Sequence, residues 1–231
     1  MLAENLHQVQ DNIQQALARR SEPKSTGRNV LLVAVTKNHP ATVITDIEAL
    51  KINNVGENRV QEARDKQKIL GHPGTWHLIG HLQTNKARQA VELFDLIESV
   101  DSEHLLLALD KEAGKLGKVQ DILLQINIAG EAQKTGFAPE AYQAILPKLE
   151  TFKNLRVRGI MVIAPQTEQI ETVRPVFKEG YRYFCALQQQ RRHIDYLSMG
   201  MTEDYQVAVE EGANVVRIGT ALFGPRDYSK H

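Results

Sequence analysis

Eight short apolar runs, each followed by a stretch of helical character, constrain this chain more than any other feature. The first run, Asn29-Val30-Leu31-Leu32-Val33-Ala34-Val35-Thr36, is apolar on both alternating faces, as a strand buried inside a parallel sheet must be. It ends on Lys37, and Asn38-His39-Pro40 then opens a helix over 41–50. Further strands are expected over 54–58, 75–81, 95–100, 121–128, 157–164, 194–199 and 214–220. Helices are expected over 60–70, 85–93, 102–116, 139–149, 170–190 and 203–211, with a short helical tail after the last strand. Strands that alternate with helices imply a parallel sheet. Eight such units within 231 residues leave no length for a second domain. That favours an α/β fold of one closed (β/α)8 TIM barrel over an open, doubly wound sheet.

The barrel occupies 29–224 of a single domain that runs over 1–231. Ahead of it, within 1–20, Leu2, Leu6, Val9, Ile13 and Leu17 recur at three- and four-residue spacing. This is an extra amphipathic helix, closed by Arg19, Arg20, Ser21 and Pro23. Its expected place is a lid against one end of the barrel.

Charge and cysteine content narrow the function classes. Lys plus Arg and Asp plus Glu both total 28, so the net charge is zero. A broad electrostatic footprint for nucleic acid is therefore not expected. Cys185 is the only cysteine, which excludes an internal disulfide and fits a reducing compartment. No signal pattern opens the chain and no apolar run reaches the length of a membrane span. The expectation is a cytoplasmic monomer with no membrane association.

In a barrel of this kind the carboxyl ends of the strands form the active face, and phosphate groups frequently bind after the seventh and eighth strands. Lys37 stands at the end of the first. Partial burial there would lower its pKa and give a free amine, the form that condenses with aldehydes. A lysine that merely snorkels to the surface would look the same. Leu197-Ser198-Met199-Gly200-Met201-Thr202 and Arg217-Ile218-Gly219-Thr220 each combine a hydroxyl with a glycine before a helix. Glycine lets backbone approach an anion, and the amides of a helix start point at it. One such turn is commonplace, but two at the expected ends point to phosphate. Alternation puts Val215, Arg217 and Gly219 on one face, so Arg217 is expected inside the barrel. A buried guanidinium needs an acceptor. That acceptor is either a carboxylate such as Asp195 or Glu57, or an atom of a ligand. Asn58 either contacts the ligand or caps the helix over 60–70. His77 and His81 have even spacing, so both are expected to face inward. With His72 they match no standard zinc spacing, and no metal is expected.

A lysine, two phosphate-type turns and an inward arginine together point to pyridoxal 5'-phosphate. Lys37 would form the Schiff base, Ser198 and Gly219-Thr220 would hold the phosphate, and Arg217 would donate to the ring nitrogen. An arginine partner keeps that nitrogen unprotonated, which makes the ring a weaker electron sink and disfavours long-lived carbanions.

The chain also resembles the YggS/PLPBP family of pyridoxal phosphate homeostasis proteins. The matching blocks are Val33-Ala34-Val35-Thr36-Lys37, Gly56-Glu57-Asn58-Arg59-Val60-Gln61-Glu62, Trp76-His77-Leu78-Ile79-Gly80-His81-Leu82-Gln83-Thr84-Asn85-Lys86, Gly159-Ile160-Met161-Val162-Ile163-Ala164-Pro165, Leu197-Ser198-Met199-Gly200-Met201-Thr202-Glu203-Asp204 and Arg217-Ile218-Gly219-Thr220-Ala221-Leu222-Phe223-Gly224. The resemblance covers nearly the whole chain after the first helix. It implies an alanine-racemase-type barrel and cofactor contacts from Lys37, Asn58, Ser198, Gly200, Arg217, Gly219 and Thr220. It also implies a role in vitamin B6 and amino-acid balance with no established catalytic residue. Arg59 and Thr202 stand where the family more often has tyrosine and serine.

Three functions follow as expectations. The first is a non-catalytic binder of pyridoxal phosphate that serves cofactor-accepting apo-enzymes. The second is a low-activity racemase or lyase, for which Tyr205 or His81 would be the additional acid/base. The third is a cofactor-free Schiff-base aldolase on the same barrel.

Overall fold

The computed structural model describes residues 1–131, 133–167 and 169–224. Eight strands close into a barrel: β1 (Leu31–Val35), β2 (Asn54–Glu57), β3 (Thr75–Leu78), β4 (Leu96–Val100), β5 (Gln120–Ile126), β6 (Leu155–Val162), β7 (Tyr196–Ser198) and β8 (Val215–Ile218). All neighbours are parallel, in chain order, and β1 pairs with β8 to close the ring. The expected fold class is the observed one.

The strands stop earlier than their apolar runs do. Lys37, Asn58 and His81 all lie beyond the last paired residue of their strands. Strand propensity is a property of side chains and does not mark where pairing ends. The consequence for His81 is a correction. It is exposed on the loop after β3, with Nδ1 3.0 Å from an Asp101 carboxylate oxygen, and only His77 faces inward. Proline divides one of the expected helices. The segment expected as one helix over 139–149 divides into α6 (Pro139–Ile145) and a 3-10 turn (Leu146–Thr151). Pro147 lacks the N–H that an unbroken α-helix would need there.

The barrel wall separates two cores. Outside it, one continuous apolar cluster joins the sheet to the helices, with Trp76, Phe94, Phe177 and Phe184 fully buried. Inside it, the apolar cluster is small: Leu96, Leu123 and Met161, with Ile163 and Tyr196 against them. Alternation places Glu98 on the same face of β4 as Leu96, one layer nearer the carboxyl ends. The interior above the small cluster is therefore polar.

The first helix, α1 (Leu2–Ala18), is not a lid over a barrel end. It lies along the flank, beside α8 (Tyr205–Glu210) and α9 (Thr220–Phe223). Asn5 Nδ2 donates to the Leu222 carbonyl at 2.8 Å and Asn12 Nδ2 to the Tyr205 hydroxyl at 2.9 Å. Arg20 donates to the carbonyls of Val209 and Ala213. The reason is that α9, which follows β8, has only four residues and covers little of the wall. The apolar stripe of α1 (Leu6, Val9, Ile13, Ala16 and Leu17) takes over that part of the outer layer. Among the described residues no helix is long and apolar enough to cross a membrane.

Candidate functional site

A cavity of about 490 Å³ opens at the carboxyl ends of the strands, a size suited to a small ligand. Lys37 enters it after β1, Asn58 after β2, Ile79 after β3 and Lys134 after β5. Residues 163–167 line it after β6, Met201 to Asp204 after β7, and Gly219 and Thr220 after β8. Arg217 reaches it from within β8. Among the described residues the charged lining is three cations, Lys37, Lys134 and Arg217, and two acids, Glu203 and Asp204.

Lys37 is half-buried and is held from both sides by its chain neighbours. The carbonyl of Thr36 accepts from Lys66 Nζ at 2.7 Å, and the N–H of Asn38 donates to Glu62 Oε1 at 2.6 Å. Lys66 also donates to Glu57 Oε1 at 2.6 Å and to Glu62 Oε1 at 2.8 Å. Thus α3 (Val60–Leu70), through Lys66 and Glu62, clamps the backbone that presents Lys37. Asn38 itself sits at φ +62, a left-handed conformation that a non-glycine residue holds only when its surroundings fix it. Burial pushes the Glu57 carboxyl above its ordinary pKa, against the pull of Lys66 and Thr36.

Asn58 follows Glu57 and packs against the loop after β3. Gly80 is required there, since a Cβ would collide with the backbone carbonyl of Asn58. On the opposite side, the Thr202 hydroxyl accepts from the Ala221 N–H at 3.3 Å, tying the loop after β7 to the start of α9. Asp204 Oδ1 accepts from the Met201 N–H at 2.7 Å and fixes the same loop. Burial raises the pKa of Asp204, opposed by that Met201 bond and by the Arg217 charge. Lys134 donates to the Ala164 carbonyl at 3.0 Å and to Glu131 Oε1 at 3.1 Å, which bridges the loops after β5 and β6.

Arg217 is 3 % exposed and faces the barrel interior, as the alternation of β8 requires. One terminal nitrogen donates to Ser198 Oγ at 2.6 Å and the other to the Val162 carbonyl at 3.0 Å. The Ser198 hydroxyl donates in turn to Glu98 Oε2, and Glu98 Oε1 lies 2.7 Å from His77 Nδ1. Asn54 Oδ1 is 3.2 Å from His77 Nε2. The acceptor of Arg217 is therefore neither Asp195, which pairs with Arg158, nor Glu57, which pairs with Lys66. Its acceptors are the Val162 carbonyl and Ser198, with Glu98 behind the serine. Burial opposes ionisation of Glu98, but His77, Arg217 and Ser198 outweigh it and hold the carboxyl below the ordinary glutamate range. Burial lowers the pKa of Arg217, while Glu98 and Asp204 act in the other direction.

Of the residues expected at the site, Lys37, Asn58, Arg217, Gly219 and Thr220 converge on the cavity. Ser198 and Gly200 do not line it. Ser198 is fully buried, and its hydroxyl points into the barrel, toward Glu98 and Arg217. Gly200, at φ +90, serves the turn, where a Cβ would lie 2.7 Å from both Tyr205 Cα and Ala208 Cβ. Arg59 lies outside this cavity, in a surface groove with His39 and Glu62. Tyr205 is buried and bonded to Asn12, away from the cavity.

Residues 5–227 match the family described as alanine racemase, N-terminal domain. The chain is 37% identical to the pyridoxal phosphate homeostasis protein of Aquifex aeolicus over 227 residues, covering 97% of this chain and 98% of that one. It is 35% identical over 234 residues to the protein of that name in Escherichia coli, covering 99% of this chain and 98% of the other. The structure of PipY from Synechococcus elongatus with PLP bound superposes with a TM-score of 0.82 at 40% identity, covering 97% of this chain and all of PipY. An alanine racemase of Clostridium difficile shares the fold, with a TM-score of 0.69 at 15% identity, and this chain spans 57% of its length.

Proposed function

Because the chain belongs to the pyridoxal phosphate homeostasis protein family, we propose that its cavity holds pyridoxal 5'-phosphate on Lys37 and that it stores and delivers the cofactor without catalysis. The observation that carries this reading is the convergence of Lys37, Arg217, Gly219 and Thr220 on one cavity at the carboxyl ends of the strands. The donor set fits the cofactor's chemistry: a primary amine for an aldehyde, a cation-rich lining for an anion, and a guanidinium for a pyridine nitrogen. When bound, pyridoxal phosphate supplies an aldehyde that condenses with an amine and a ring that withdraws electrons. Lys37 presents its amine from a backbone fixed at Thr36 and Asn38. Thr202, Gly219 and Thr220 offer hydroxyl and backbone donors to the phosphate. Arg217 donates to the ring nitrogen and, being a permanent cation, leaves it unprotonated. Asn58 borders the ring from the β2 side.

The non-catalytic part of the reading is supported by what surrounds Lys37. Of the two residues considered as a second acid/base, Tyr205 is sealed in the outer layer and His81 is on an exposed loop, paired with Asp101. Neither lines the cavity. The protein would act as a monomer and yield its cofactor to apo-enzymes.

The test is the absorption spectrum of the protein with pyridoxal phosphate, before and after borohydride reduction, with the modified residue mapped by mass. A visible band and a reduced adduct on Lys37 are expected. No band with added cofactor would remove the reading. Turnover of single-enantiomer amino acids beyond the cofactor content, lost in Lys37→Ala, would replace the carrier by an enzyme.

A further inference from the structure

The barrel interior holds a row of polar groups that the reading above uses only at its last member, Arg217. It runs from Asn54 on β2 through His77 on β3, Glu98 on β4 and Ser198 on β7 to Arg217 on β8. His77, Glu98, Ser198 and Arg217 are each 3 % exposed or less. Buried polar groups carry a large desolvation cost and persist only when every member is bonded to another. Glu98 has both carboxylate oxygens engaged, one by His77 and one by Ser198.

The terminal member, Arg217, also lines the cavity. Its bonds to Ser198 and to the Val162 carbonyl use two of the five guanidinium protons and fix the plane of the group. A planar fork held at two corners aims its remaining protons in set directions. Ser198 can accept from Arg217 only while it donates its own proton elsewhere, and the carboxylate of Glu98 is where that proton goes. The hydroxyl orientation is thereby set by Glu98.

We infer that Glu98 and Ser198 are positioning residues for the ring end of the cofactor, with Ser198 acting on the ring nitrogen through Arg217 and not on the phosphate. This rests on the proposed function, since it assumes pyridoxal phosphate in the cavity. It assigns the hydroxyl of the Leu197-Ser198-Met199-Gly200 turn to the opposite end of the ligand from the one its sequence suggests. The phosphate end then falls to Thr202, Gly219 and Thr220.

The two ends are separated by comparing pyridoxal phosphate with pyridoxal, which has the same ring and aldehyde and no phosphate. Affinity and absorption maximum are measured for both ligands in the full-length protein and in Glu98→Gln, Ser198→Ala and Thr202→Val. A ring-end role predicts that Glu98→Gln and Ser198→Ala each shift the absorption maximum. It predicts that they weaken both ligands alike, on the order of tenfold, as expected for one misdirected charge-assisted hydrogen bond. Thr202→Val should weaken pyridoxal phosphate alone and leave the maximum in place. Ser198→Ala that weakens pyridoxal phosphate while sparing pyridoxal, with an unshifted band, overturns the inference. So does a Glu98→Gln complex identical to the parent in affinity and spectrum. The urea midpoint of each apoprotein identifies a variant that has lost its fold, and either of the two ring-end variants decides the matter alone. If both are misfolded, Glu98→Asp and Ser198→Thr, which keep charge and hydroxyl, must restore fold, band and affinity together, and a folded protein with a shifted band counts against the inference. Failure of the unmodified protein to bind pyridoxal phosphate is a separate result, which removes the proposed function itself.

Discussion

Replacing Lys66 by methionine tests how firmly the backbone around Lys37 is held. Lys66 is 5 % exposed, and its ammonium places one proton each on Glu57 Oε1, Glu62 Oε1 and the Thr36 carbonyl, at 2.6, 2.8 and 2.7 Å. Methionine keeps a stem of similar length, so packing is largely retained and the loss is electrostatic. Glu57 is fully buried, and its Oε2 has no hydrogen-bond partner among the described residues. Without Lys66 that carboxylate keeps only the Thr36 hydroxyl. Breaking a buried pair by removing one partner costs about 3–5 kcal/mol, because the other charge is left uncompensated. Urea unfolding of the apoprotein at pH 7 should show a loss of that size with an unchanged m-value. The pH dependence follows from the raised pKa of Glu57. A carboxyl whose folded pKa lies above its unfolded value of 4.5 contributes stability that is full below that value and is lost as pH rises through the folded pKa. Lys66→Met raises the folded pKa further, so the deficit should be smaller near pH 5 than at pH 8. The double variant Lys66→Met/Glu57→Gln removes the orphaned charge and should recover most of the loss. A single variant within about 1 kcal/mol of the parent, or a double variant no better than the single, would refute the reasoning.

Gly80→Ala should weaken pyridoxal phosphate binding more than it unfolds the protein, because the new Cβ displaces Asn58; the structural cost is about 1–3 kcal/mol, read by urea midpoint beside a cofactor titration. Ile13→Ala, in the buried stripe of α1, should cost about 2–5 kcal/mol in urea while leaving the cofactor affinity within about twofold, since α1 does not line the cavity. Arg217→Lys keeps the charge but cannot reach Ser198 and the Val162 carbonyl with one planar fork; it should shift the absorption band of the complex, and an unchanged spectrum would count against a ring contact. Asp204→Asn removes a carboxyl whose pKa burial raises above 3.8, so the parent should lose stability relative to the variant as pH rises from that value through the folded pKa.

Much of this architecture is legible from the residues because a parallel barrel demands strands that are apolar on both faces, and the eight runs are. Lys37, Asn58, Arg217, Gly219 and Thr220 are legible as a group because strand ends of one barrel must converge. Ser198 is not, because a sequence gives the position of a hydroxyl and not its facing. As the last residue of β7 it alternates inward, one step short of the loop. Glu98 is missed for a different reason. It sits inside an otherwise ordinary strand, Leu96-Ile97-Glu98-Ser99-Val100, where it reads as a solvated residue. The usable signal was the strand itself: every residue of β4 is buried, and an acid in a buried strand needs a partner. The flank position of α1 follows from the shortness of α9, which depends on where the chain turns after Phe223 and not on any periodicity.

The joining of α1 to α8 and α9 has a consequence for how the protein comes off the ribosome. Asn5 is bonded to Leu222, 217 positions later, and Asn12 to Tyr205, 193 positions later. Helix α1 thus waits for partners that are synthesised only after β7, for Tyr205, and after β8, for Leu222. Until they arrive, Leu6, Val9, Ile13, Ala16 and Leu17 have no wall to cover, and β1 lacks its β8 neighbour. Contacts of such long sequence separation form slowly, and the waiting apolar stripe is the kind of surface that chaperones hold. Closure of the ring and docking of α1 therefore fall together in a late step, after β8 has emerged.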